Sequence, residues 1–189
     1  MNIHEVIRNR RSVRKYESTP IEPGVLRRMR DALRLAPSAC NFQPWKFIWV
    51  QDEDLRRRVA EAANNQEWMA DAPCIVVGCG RADDAYKKMG GDGSSIDVDL
   101  AIALDHLTLA AAAEWLGTCW IGAFNQAAVK ELLSVPLDVK VVALTPLGRP
   151  AAPEGLRPVE PSRRKAEDEV FAVDRYDGPC PGECGASAT

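Results

Sequence analysis

Apolar positions recur at helical spacing near the start of the chain, where Ile3, Val6 and Ile7 predict a short helix over residues 2–9. The next stretch, RRSVRKYES, loses that period and reads as extended or loop. Pro23 then opens an amphipathic run to about Leu35, with Val25, Leu26, Met29, Ala32 and Leu33 on its inner face. Pro37 ends that run, and the loop PSACNFQP follows. Trp45–Val50 is apolar and aromatic and predicts a strand. Asp52 stands where an N-cap belongs, before a helix to about Ala63. Cys74–Val77 reads as a second, buried strand, and residues 83–94, rich in Gly and Asp, as a surface loop.

The strongest helical signal runs from Val98 to Leu116 and is apolar on nearly every side. Such a helix must be covered on nearly every side. One small domain has little surface to spare for that, so a subunit partner is expected. Gly117 punctuates the helix, CWIGAF follows as a strand or strand end, and a short helix is expected over about 126–133. Val139–Thr145 predicts a third strand, closed by Pro146 and Gly148. The last forty residues are proline-containing and poor in apolar residues before Val170–Val173, which suggests an arm rather than a second core. Helices and strands mix without a strict βαβ rhythm, so the expected class is α+β, one sheet flanked by helices. Residues 1–176 form the expected domain and 177–189 a cysteine-containing tail.

Charge narrows the function. The net charge is −3 and no long basic stretch occurs, which argues against a nucleic-acid partner. No apolar run approaches the roughly 20 residues that span a bilayer. The N-terminus MNIHEVIRNRR carries charges where a signal peptide needs an apolar core, and a cytoplasmic location is expected. Arginines gather at 8–14 and 163–165; a small anionic ligand and a solvated surface both fit such clusters. Cys40, Cys74, Cys79 and Cys119 read as ordinary thiols of a reducing compartment. Cys180 and Cys184 form CPGEC, but two cysteines cannot close a four-ligand metal site, and no metal is expected.

Arg10, Ser12 and Arg14 occupy alternate positions. In an extended segment they point to one side. Two guanidiniums and a hydroxyl on one side suit a phosphate, because arginine donates paired hydrogen bonds to such oxygens. An exposed basic turn has the same composition, and this segment alone does not choose. Gly78-Cys79-Gly80 imitates the start of a dinucleotide fingerprint, but Asp83 takes the third glycine's place. His106 lies within the long apolar helix and reads as a core residue rather than a base.

Three segments in order change the picture. RRSVRKY at 10–16, APSACNFQPWKF at 36–47 and LGTCWIGAF at 116–124 together resemble the nitroreductase family of flavoproteins. SRRKAEDEV at 162–170 is similar to that family's C-terminal arm. The resemblance spans about residues 3–176. It implies a mostly antiparallel sheet flanked by helices and a homodimer with an exchanged C-terminal arm and flavin sites shared between subunits. It also implies that Arg10, Arg11, Ser12 and Arg14 hold the FMN phosphate and part of the flavin edge. Pro37, Ser38 and Asn41 match a loop that reaches the other subunit's flavin. Asn65 matches a polar position on the pyrimidine side of the ring. Ile121, Gly122 and Ala123 match a strand end whose backbone, at Gly122, faces the reactive nitrogen. Arg163 or Arg164 matches a basic residue that returns to the phosphate. The arm departs from the family pattern at Lys165-Ala166, and segment 81–95 is short for a substrate cover.

The activity implied is two-electron reduction of a nitroaromatic, quinone or similar acceptor by NADH or NADPH, with ping-pong kinetics. The absence of a triad or acid–base pair agrees, since the flavin performs the redox step. Two other readings stay open on sequence: a flavin-binding protein without independent turnover, and a non-flavin redox or metal protein built on Cys180 and Cys184.

Overall fold

The structure is a computed structural model that describes residues 1–151 and 155–181. Residues 1–157 form one compact unit and the chain from Pro158 a second. In the first unit, helices α1 (Ile3–Asn9), α2 (Pro23–Arg34), α3 (Glu53–Ala62), α4 (Ile96–Ala113) and α5 (Gln126–Leu132) accompany strands β1 (Trp45–Val50), β2 (Cys74–Gly80), β3 (Gly117–Thr118) and β4 (Lys140–Gly148). The sheet order is β1-β2-β4-β3 and every pairing is antiparallel. This is the α+β architecture that the pattern predicts.

Local chemistry explains the elements. Asn2 caps α1 through the Glu5 amide, and Glu5 returns the bond to the Asn2 amide. Pro23 sits in the first turn of α2, where its missing N–H costs nothing. Asp52 caps α3 through the Leu55 amide at 2.8 Å, as expected. Strand β2 is central and buried at all seven positions. Ile75, Val77 and Cys79 face one layer with Val59 of α3 and Val129 of α5. Cys74 and Val76 face the other, with Leu33 of α2 and Leu104 and Leu107 of α4. Arg28 of α2 clamps Glu114 at the end of α4 through two hydrogen bonds, and the first of these holds the Glu114 carboxyl below its ordinary range.

Element bounds differ from expectation: β2 runs past Val77 to Gly80, and α4 ends at Ala113 rather than Leu116. Strand β4 does not stop at Thr145 but continues through Pro146, which pairs with Ile75 of β2. Leu144 exchanges both backbone bonds with Ile121, so the Pro146 nitrogen, two residues on, points to the same edge. The ladder is interrupted there, and the Cys119 amide turns to the Thr145 hydroxyl at 3.2 Å. A proline fits where no strand N–H is needed. For the same reason CWIGAF is not a continuous strand: β3 ends at Thr118 and Ile121 rejoins as an isolated bridge.

Helix α4 buries one face, including Leu100, Ala103, Leu104, Leu107 and Ala111. On the opposite face Val98 is 41% exposed, and Ala101, Ile102 and Leu109 are half-buried. Ile3 and Ile7 of α1, which packs against α4, are exposed as well. Among the described residues no helix is long and apolar enough to cross a membrane.

Candidate flavin site

Segment 10–16 is held against the β3 edge of the sheet. Ser12 bridges Thr118 in parallel, and the Val13 amide donates to the Thr118 carbonyl at 2.9 Å. Val13 is fully buried while Ser12 and Arg14 are exposed, so the alternation inferred from sequence holds at these positions. Gly117 makes this docking possible: a Cβ there would lie 2.8 Å from the Val13 Cβ. Tyr16 closes the segment by donating to the Val13 carbonyl at 2.7 Å, and burial drives its phenol far above the ordinary range. Arg10 follows α1 directly, its amide closing the last turn on Val6. Arg11 donates to the Arg157 carbonyl at 3.4 Å. Among the described residues, no carboxylate pairs with Arg10, Arg11 or Arg14.

Next along this edge comes an open backbone strip. Ile121 is buried and locked to Leu144, but Gly122 and Ala123 are exposed. A Cβ added at Gly122 would meet nothing within 4 Å. No local packing therefore requires this glycine, and its backbone is open to close approach from outside. Asn65 lies in a turn where it and Asn64 both adopt positive φ, 56° and 58°, a conformation asparagine tolerates better than most residues. Its neighbour Gln66 donates to the Ala123 carbonyl at 3.5 Å, and Asn125 donates through its amide to the Ala62 carbonyl. The Trp68 ring stacks on Tyr16, with centroids 6.4 Å apart. These contacts tie the turn after α3 to Ala123 on one side and to Tyr16, at the end of the 10–16 segment, on the other.

Pro37, Ser38 and Asn41 are placed elsewhere. They form a tight loop in which Cys40 and Asn41 have positive φ, and the hydrogen bond that ties it to another element goes from the Ala39 amide to Asp99 of α4. Arg163 and Arg164 are exposed and belong to the second unit, where the Arg164 side chain donates to the Arg163 carbonyl. Of the CPGEC pair, Cys184 lies outside the described residues.

Sequence reasoning missed three contributors: Thr145, which receives the Cys119 amide; Gln66, which reaches Ala123; and Asp99. For Asp99 a signal existed, a carboxylate within an otherwise apolar helix face. It also missed a cavity of about 790 Å³ lined by Phe42, Gln43, Trp45, Lys46, Arg81 and Val135 among others, which begins just beyond the 37–41 loop and contains none of the residues assigned above.

The donor set fits a flavin mononucleotide: the Arg10 and Arg14 guanidiniums and the Ser12 hydroxyl suit one phosphate, and the exposed Gly122–Ala123 backbone leaves room for a flat ring. The family model described as the nitroreductase family matches residues 7–66 and 60–149. A Methanothermobacter thermautotrophicus relative, provisionally named an NADH dehydrogenase/NAD(P)H nitroreductase, is 30% identical over 161 residues, covering 83% of this chain and 82% of its own. The FMN reductase [NAD(P)H] of Bacillus subtilis is 30% identical over 187 residues, covering 89% and 75% respectively. The NADPH:FMN oxidoreductase of Vibrio harveyi, solved with NAD+, superposes with TM-score 0.80 at 26% identity, over 93% of this chain and 78% of that one.

Proposed function

The chain belongs to the nitroreductase family, and from that premise we propose that it is an FMN-dependent oxidoreductase that passes two electrons from NADH or NADPH to an electron-poor acceptor. The observation that carries this reading is the exposed Gly122–Ala123 backbone, which follows Thr118 along the chain while Ser12, between Arg10 and Arg14, bridges Thr118. Arg10, Ser12 and Arg14 bind the phosphate, with Arg11 behind them. Asn65 presents its amide to the polar side of the ring. The Ile121–Leu144 ladder holds the Gly122–Ala123 backbone still while it lies against the ring. FMN held by these residues would supply the hydride-transfer chemistry. One open face serves both substrates in turn, so the kinetics are ping-pong. Nitroaromatics and quinones are the acceptors proposed.

The loop Pro37–Asn41 and an arginine of the 163–164 pair complete the site from the partner of a homodimer. Support comes from the α4 face carrying the exposed Val98 and the half-buried Ala101 and Leu109 around exposed Asp105, together with exposed Ile3 and Ile7, apolar groups that one chain leaves partly uncovered. Releasing the cofactor by heat and identifying it by chromatography tests the reading, and recovery of FAD alone would contradict it. Arg10→Ala should weaken FMN binding about ten- to hundred-fold, the equivalent of one charge-assisted contact. An unchanged dissociation constant would reduce Arg10 to a surface charge.

A further inference from the structure

Asp99 is a carboxylate buried in the core, 2% exposed. Such a group is costly unless its oxygens are satisfied. Here one oxygen accepts from the Ala39 amide at 2.9 Å and the other from the Ser95 hydroxyl at 2.7 Å. Ser95, 1% exposed, accepts in turn from the Tyr86 amide at 3.1 Å and donates its own amide to the Tyr86 carbonyl. A hydrogen-bonded path thus runs from the 86–95 segment, through the first turns of α4, to the 37–43 loop. Asp99 lies in the first turn of α4, where an acid also complements the helix dipole, and both its oxygens are engaged by groups outside the turn's own amides.

The loop it holds is strained. Cys40, Asn41 and Gln43 adopt φ of 51°, 57° and 51°. Non-glycine residues in this region persist only where their surroundings over-determine them. The Ser38 carbonyl and hydroxyl accept the Asn41 and Gln43 amides and close the loop on itself. Among the described residues, the Asp99 bond is the one that ties residues 37–41 to another element. We propose that Asp99, oriented by Ser95, is the positioning residue that keeps the Pro37–Asn41 loop in its flavin-binding shape. This role rests on the reading of that loop as part of the FMN site.

Four full-length variants test it: Asp99→Ala, Asp99→Asn, Ser95→Ala, and Asn41→Gly, which deletes a loop side chain without straining its left-handed backbone. Two quantities are read, hydrogen exchange of the Ala39 amide in flavin-free protein and the FMN dissociation constant. Asp99→Ala should speed Ala39 exchange and weaken FMN, each about ten-fold. Asp99→Asn, whose amide oxygen still accepts from Ala39, should stay within about three-fold of the parent. Ser95→Ala should fall between them, and it decides the matter if Asp99→Ala does not fold. Unchanged Ala39 exchange in the alanine variants overturns the proposal, as does an Asp99→Asn variant as impaired as Asp99→Ala. Weakened FMN binding in Asn41→Gly but not in Asp99→Ala also overturns it, leaving the site intact. If exchange rises yet neither Asp99→Ala nor Asn41→Gly alters FMN affinity, the loop does not touch flavin, and the site reading fails together with the proposal.

Discussion

Gly122 is the residue at which a functional role can be tested without a structural one. Open space surrounds its hypothetical Cβ, so Gly122→Val should leave the unfolding midpoint of the flavin-free protein unchanged. The same isopropyl group would stand in the proposed ring plane and should weaken FMN about ten-fold or more. A variant that binds FMN normally would remove Gly122 from the site. The thiols allow a second comparison. Burial pushes the Cys74 thiol up to about 12 and raises that of Cys79, whereas Cys40 is exposed. Since the thiolate is the reactive species, a mildly alkaline thiol reagent should label Cys40 well before Cys74 or Cys79, as peptide mapping would show. Saturating FMN should slow Cys40, because the 37–41 loop then faces the flavin. Equal labelling with and without FMN would count against that placement.

At the scale of elements, most of the fold was legible. Trp45–Val50 and the Asp52 cap announce themselves through β-forming residues and a side chain that satisfies helix N–H groups. What the sequence could not disclose was pairing. Pro146 looks like a strand terminator until its neighbours show that the edge it faces needs no N–H. Gly117 looks like a helix stop, and its second task, admitting Val13 against β3, depends on a partner a hundred residues away. Asp99 stands out as a carboxylate in an apolar run, but its partner was hidden, because Ala39 offers only a backbone amide. Gly117→Ala should therefore overpack the junction at a cost of about 1–3 kcal/mol and loosen the Arg10–Arg14 segment with it. Chemical denaturation and FMN titration measure the two effects. Loss of stability with normal FMN affinity would show that the segment can shift without harm to the site.

The whole molecule presents two incomplete surfaces. One is the Gly122–Ala123 strip with its arginines, open to solvent on a single chain; the other is the apolar outer face of α4 with Ile3 and Ile7. The long apolar helix forecast the second surface from sequence, and the family-like segments forecast the first. A symmetric dimer answers both, since covering apolar area contributes roughly 25 cal/mol per Å², and two-fold pairing is the commonest way to do so. A flavin bound only by the assembled state would further stabilise that dimer. Sedimentation equilibrium of the purified protein at low micromolar concentration, followed at both protein and flavin absorbance, tests this most directly. Flavin should sediment with a species of twice the chain mass, at one FMN per chain. A monomer carrying a full complement of FMN would contradict it.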